Sequence, residues 1–202
     1  MLSLTSRMMA STSMNVTPNH LVAGVVAAWA AYNAECQMMA KRILHLTRTL
    51  NPRPVRGAAS GVSTRTFGGV DDIEIWLELR RRTFERELPA IRAWSRDDFQ
   101  AEFMAKPWWS PERLWFAEAA LSDNQVASAI GAVALAMRAG DQPVIHWLMV
   151  LPEWRRRGVG RLLLNALEVA CWDAGYRRIG LETHAAWSSA VEFYRAMGYL
   201  ET

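Results

Sequence analysis

The sequence predicts an α+β fold, a mixed sheet preceded by an amino-terminal helix, and three observations carry that prediction. Strand-like runs at 113–119, 126–137 and 144–150 are separated by Ser122-Asp123-Asn124 and by Gly140-Asp141, turn signals at hairpin spacing. The third run stops at Pro152 and re-emerges through Gly158 and Gly160 into L-L-L-N-A-L-E-V-A, which has a helical period. Beyond it a further strand, 179–183, leads into a helix over 187–197 that ends at Gly198. Antiparallel strands followed by alternating helix and strand make a sheet with helices packed upon it.

At 202 residues, 51% of them hydrophobic, the chain can bury one good core and carry an appendage. Its net charge of +3 is unevenly spread. Up to Thr66 seven basic residues stand against the single acid Glu35, a balance of +6, which leaves −3 for the remainder. A basic arm therefore precedes a mildly acidic domain, and no nucleic-acid-binding surface is expected on that domain. Cys36 and Cys171 are the only cysteines and no His stands at metal-ligand spacing from them, so no metal and a reducing, cytoplasmic setting are expected. The longest apolar run, 21–31, is too short to span a bilayer and lacks a convincing cleavage site after it, so neither a membrane partner nor secretion is expected. An acid-poor, Ser- and Arg-containing start also fits a transit peptide or a misassigned start codon.

Residues 1–61 read as an arm and 62–202 as the main domain. The polar lead 1–16 carries no structural pattern. Thr17-Pro18 is a helix entrance and Asn51-Pro52 an exit. Between them Val22, Val25, Trp29, Tyr32, Cys36, Met39, Ile43, Leu46 and Leu50 form a heptad-like stripe, for a partner helix in a dimer or for the domain's own surface. Residues 52–63 read as a linker. A first strand is expected at 63–67, then a helix capped by Asp71 or Asp72, with Ile73, Trp76, Leu77 and Phe84 inward and the run Arg80-Arg81-Arg82 on a solvated face. Pro89 ends it. Ser95 caps another short helix whose apolar side is Phe99, Phe103 and Met104, and K-P-W-W-S-P follows as a stiff aromatic loop, either the rim of a cleft or a staple between helices and sheet.

The stretch 144–161, V-I-H-W-L-M-V-L-P-E-W-R-R-R-G-V-G-R, joins a strand to a helix through a basic glycine turn. Free amides, the positive end of the helix dipole and flanking arginines converge there, which suits a phosphate, and Gly158 and Gly160 let an anion approach the main chain. A nucleoside-triphosphate loop needs a Lys after its glycine and none follows; a dinucleotide loop needs a third glycine where Leu163 stands. The pattern R-x-x-G-x-G is met by Arg155, Gly158 and Gly160, and with it the chain resembles the GNAT superfamily of acyl-CoA N-acyltransferases. The last helix resembles the same family again, with Ala190, Tyr194 and Gly198-Tyr199 in the family's places. Trp187 stands where that pattern has Asn, and Ser188 or Ser189 would take over its cofactor hydrogen bond. Members of the family usually add two more strands after this helix, whereas here only Leu200-Glu201-Thr202 remain. Either the edge at 179–183 lies open, or the amino-terminal arm or a second subunit covers it, or the reading frame is cut short. Self-pairing of the amino-terminal helix or of that edge would give a homodimer.

The resemblance implies acetyl-CoA as co-substrate, an amine as acceptor and direct attack of one on the other. It implies a pantetheine arm lying along the main chain of Leu148, Met149 and Val150, and a diphosphate held by the amides of Arg156, Arg157, Gly158, Val159, Gly160 and Arg161, with Arg155 or Arg157 meeting another phosphate. It implies Tyr194 as the acid beside the thioester sulfur, and His146, four residues before the strand-ending Val150, as the base. Glu182 and His184 are the fallback for the base. A CoA-binding pseudoenzyme with a regulatory role is the rival expectation, favoured if Trp187 has spoiled the cleft.

Overall fold

A computed structural model describes residues 42–85, 92–120 and 127–202. Among them one sheet is built from β1 (Ile43–Thr49), β2 (Val62–Thr66), β3 (Leu114–Ala119), β4 (Ser128–Arg138), β5 (Gln142–Val150), β6 (Arg178–His184) and β7 (Leu200–Glu201), in the spatial order β2-β3-β4-β5-β6-β1-β7. Only β5 and β6 run parallel; every other neighbouring pair is antiparallel. The helices are α1 (Asp71–Phe84), α2 (Arg96–Phe99, continued by a π-helical turn Gln100–Met104), α3 (Val159–Asp173) and α4 (Ser188–Ala196). The expected mixed α+β sheet is present, with β2 to β6 within a few residues of their predicted places; the short β7 was not expected. No helix among the described residues is long and apolar enough to cross a membrane.

An interior strand of the sheet, β4, is buried without interruption from Ile130 to Ala136, so both its faces are covered. Its alanines, which favour helix on propensity alone, are there because helices press close on either side. At Gly131 a Cβ would lie 2.7 Å from the Met149 carbonyl oxygen and 3.1 Å from Leu163 Cδ1, so a larger residue has no room. α1 packs on β4 and β5, and α3 on β2 through β5.

The principal correction concerns the amino-terminal side. Ile43, Leu46 and Leu50, read as the end of a helical stripe, belong instead to β1 and its exit, with Leu44 and Leu46 pointing into the core. β1 pairs with β6 along its whole length, from Ile43↔His184 to Thr49↔Arg178, and with β7 at Leu46↔Glu201 and Thr47↔Leu200. The edge at 179–183 is therefore covered, and by a strand of this chain that precedes the linker. Tertiary pairing selected the alternation of Leu44 and Leu46 over the three-and-four spacing of the stripe, which in a strand puts Ile43 and Leu46 on opposite faces. The compact unit begins at Ile43. Residues 1–41, with the rest of the stripe and Cys36, lie outside the described residues, as do Pro89 and Ser122-Asp123-Asn124.

Two local expectations also change. Neither Asp71 nor Asp72 caps α1, whose N-cap is Val70. Asp72 instead accepts from Gly68 N at 2.6 Å and from Arg65 Nη1 and Nη2 at 2.6 and 2.7 Å, while Arg65 Nε reaches Glu118. Burial pushes the Asp72 carboxyl up, but Arg65 and the Gly68 amide outweigh it and hold the group below its ordinary range. The Arg80-Arg81-Arg82 run is not one solvated face. Arg81 pairs with Glu78 and Glu85, and Arg82 with Glu153, but Arg80 is only 4% exposed. Ser95 does cap α2, in a reciprocal box with Asp98, as its sequence predicts.

Candidate active site

A bulge in β5 creates the site. Ala132 faces Met149 but Ala134 faces His146, so Trp147 and Leu148 together oppose the single residue Val133. Trp147 takes up the extra length with φ of 51°, a left-handed conformation rare for so bulky a side chain. Past the bulge β5 leaves its parallel neighbour: among the described residues the two strands share one register pair, Val144↔Gly180, near the start of β5. From there to Val150 the main chain of β5 that faces β6 has no ladder partner in β6. An edge of that kind accepts an extended polar chain by adding hydrogen bonds of its own.

The turn that follows is not absorbed into helix. A single 3-10 turn, Pro152–Trp154, leads to Arg156 with φ of 63° and to Gly158 with φ of 84°, the N-cap of α3. No side chain caps α3, and its first acidic neighbour is absent from the first turn, so the amides of Val159, Gly160 and Arg161 open onto a surface that carries the exposed residues Arg156, Arg157 and Arg161. Such a site fits an anion of the size and charge of a diphosphate. Arg157 lies over the Trp154 ring at 5.2 Å. Arg155 turns the other way: its Nε donates to the Val150 carbonyl at 3.2 Å and its Nη2 to the Thr83 carbonyl at 3.3 Å, so it ties the end of β5 to α1.

α4 brings the second motif to the same place. A Cβ on Gly160 would lie 3.4 Å from the Phe193 ring and 3.8 Å from Val150 Cγ2, so the end of β5, the start of α3 and α4 meet at one point. Tyr194, next along α4, is buried against Phe193 and Tyr199. Burial pushes its phenol well above the ordinary value, so it keeps its proton at neutral pH. Ser189 and Ser188 are exposed in the first turn of α4. Trp187 stacks on Phe84 at 6.3 Å and lies 4.9 Å from the His184 ring, so it joins the start of α4 to the end of α1.

On the other side of the bulge, His146 sits among Phe103 at 5.6 Å, Trp108 at 6.2 Å and Trp147 at 5.8 Å. Burial, with Lys106 and Arg138 adding to it, lowers its pKa to about 4, so the ring is neutral at pH 7. Trp108 and Trp109 pack on Phe103, and Trp109 also on Phe67 and Phe99, so the tryptophan loop staples helix to sheet while Trp108 lines His146. Of the fallback bases, Glu182 is held by Arg138 and by His45 Nδ1 at 3.1 Å. The bulge at Trp147 and the burial of Arg80 were missed from the sequence; no residue signals the first, and only the helical spacing of Trp76, Arg80 and Thr83 hints at the second.

Comparison with known proteins agrees with this geometry. The model of the acetyltransferase (GNAT) family matches residues 73–199. A GCN5-related N-acetyltransferase from Sphaerobacter thermophilus superposes with a TM-score of 0.65 at 20% identity, over 86% of this chain and 53% of the other. The chain thus spans about half the length of that protein. An aminoglycoside N-acetyltransferase, AAC(6')-Iy, solved in complex with CoA, superposes with a TM-score of 0.52 at 22% identity, over 73% of this chain and 93% of the other. The ribosomal-protein-S18-alanine N-acetyltransferase from Escherichia coli gives 0.52 at 17% identity, over 70% and 79%. No curated protein matches. At these identities the solved structures show the fold, and the family model, which covers more than half of the chain, shows the kinship: this protein belongs to the GNAT acetyltransferase family.

Proposed function

We propose that the protein transfers an acetyl group from acetyl-CoA to a primary amine by direct attack, and the observation that carries this reading is the parting of β5 from β6 directly above an uncapped, arginine-flanked helix start. In this reading the amides of residues 156–161 hold the diphosphate, with Arg156, Arg157 and Arg161 around it, and Ser189 reaches it from α4. The main chain of Leu148, Met149 and Val150 takes the pantetheine arm as an added strand, and an amide of that segment polarises the acetyl carbonyl. Bound acetyl-CoA would supply the thioester whose C–S bond breaks as the N–C bond forms.

The residues of this chain handle the protons. Tyr194, kept protonated by burial, donates to the departing sulfur. His146 is neutral and accepts the proton that the attacking amine sheds; with a pKa of about 4 it passes that proton on to solvent and does not store it. Arg155 holds the end of β5 against α1 so that the edge keeps its shape.

CoA release measured with a panel of amines tests the reading. Wild-type protein is expected to turn over with at least one amine, and Tyr194→Phe to lose about 10²- to 10⁴-fold in kcat with CoA affinity kept, the range typical of a lost general acid. CoA binding without turnover in either protein would mean a CoA-binding regulator instead. No binding of CoA by folded protein would remove the whole reading.

A further inference from the structure

One face of α1 carries an unusual set of groups. Trp76, Arg80 and Thr83 follow each other at helical spacing, and the side chains of all three are at least 96% buried. Trp76 Nε1, Arg80 Nε and Thr83 Oγ1 are buried without a hydrogen-bond partner, and so is the indole nitrogen of Trp147, the bulge residue beside His146. These are the four buried side-chain atoms without a partner among the described residues. Ring contacts bring three of their residues together: Trp147 lies 5.8 Å from Trp76, and the Arg80 guanidinium lies 5.2 Å from the Trp147 ring and 4.6 Å from that of Trp94; Thr83 shares their helix face by its spacing. Among the described residues Arg80 makes a single hydrogen bond, Nη1 to the Arg92 carbonyl at 3.1 Å, and no carboxylate is in ion-pair contact with it; Asp98, which attracts it from further off, is itself held by Arg92.

The chemistry of the set is one-sided. Indole and guanidinium groups can only donate, and the hydroxyl can donate as well. A buried cation with no counter-charge is costly, and each buried donor without an acceptor adds to that. What is missing is an acceptor-rich anion, and a carboxylate matches a guanidinium fork in shape and charge. Trp94 and Trp147, against whose rings the guanidinium packs, are both half-buried, so the set lies just beneath the surface.

We propose that Arg80, with the indole N–H groups of Trp76 and Trp147 and the Thr83 hydroxyl, forms a carboxylate subsite, and that the acceptor is an amine carrying a carboxylate, of the amino-acid class. This rests on the acetyl-transfer reading, since it places the amine of that molecule at His146, next to Trp147 in β5. The carboxylate takes no part in bond making. It anchors the acceptor while its amine meets the thioester.

The test compares amino acids with their carboxamides as matched pairs, by calorimetric binding and by turnover, in wild type and in Arg80→Met. Wild type is expected to favour an acid over its amide by about 10- to 100-fold, the worth of hydrogen bonds to a charged group, and Arg80→Met to lose that preference in KM more than in kcat. Removing an unpaired buried cation should leave the variant folded, with a melting temperature at or above that of wild type. Thr83→Val repeats the test with a smaller change, a preference reduced about threefold to tenfold. Equal handling of acid and amide by wild type, or a preference that survives in Arg80→Met, overturns the subsite. CoA binding is titrated separately: if the acid is preferred in direct binding but CoA is not bound, the acetyl-transfer reading fails while the anion site stands, and the reverse result removes the anion site alone.

Discussion

Replacing Arg48 with Met should destabilise the protein, because Arg48 neutralises a carboxylate that water cannot reach. Glu168 of α3 is fully buried, at 0% exposure. Its oxygens accept from Arg48 Nη1 at 2.8 Å each, and one accepts from the Tyr199 hydroxyl at 2.7 Å. The three residues thus bolt β1, α3 and the chain entering β7 together. Burial raises the Glu168 pKa, and Tyr199 and Arg48 only partly offset it. Breaking a buried pair from one side costs about 3–5 kcal/mol; the Arg48 side chain is 28% exposed, so the lower end, about 3 kcal/mol, applies. The sign with pH follows from the raised folded pKa. Without Arg48 that pKa rises further, so the deficit relative to wild type is full above the variant's folded pKa, shrinks as the pH falls through it, and is least once Glu168 is protonated in both proteins. Urea melts followed by circular dichroism from pH 8 down to pH 5 would measure both quantities. A loss below about 1 kcal/mol at pH 8, or one that does not change with pH, would refute the idea that β1 is held by this charge.

Two further outcomes follow from the site. His146 has its folded pKa lowered from 6.5 to about 4, so its neutral form contributes stability that is complete above pH 6.5 and lost as the pH falls towards 4, in total roughly 3 kcal/mol. His146→Phe should flatten that part of the stability-against-pH curve, and an unchanged curve would mean that the imidazole titrates near its ordinary value. At Gly158, with φ of 84°, an added Cβ meets only Ala59 at 3.7 Å, so Gly158→Ala costs conformation and not space, about 1–2 kcal/mol. Calorimetry should show CoA affinity falling with it, and a variant that matches wild type in both stability and affinity would show that the turn does not need the left-handed residue.

Much of the fold was legible because local signals agreed with the tertiary answer. The strands β3, β4 and β5 lie between turn residues, α3 begins at a left-handed glycine and ends before Gly175, and α4 ends before Gly198. The helix start that faces an anion was legible for the same reason, since glycines and arginines at a strand end have few other uses. Where period was ambiguous the sequence misled. The segment 43–50 carries two patterns, Ile43, Leu46 and Leu50 at helical gaps and Leu44 and Leu46 in strand alternation, and only the open edge of β6, a partner far along the chain, selects the strand. Arg80 looked solvated beside Arg81 and Arg82, yet helical geometry puts it on the face of Trp76 and Thr83, under the rings of Trp94 and Trp147.

The residues by themselves determined which segments become strand or helix in the main domain, where the anion-facing turn lies, and that Tyr194 shares a helix with the second motif. They could do so because dihedral preference, capping and hydrophobic period act within a few residues. Tertiary structure alone decided that β1 closes the sheet, that β5 bulges at Trp147 and parts from β6, and that one arginine of three is buried without a carboxylate in contact. Each of these depends on what another part of the chain places alongside it, and no local preference encodes that.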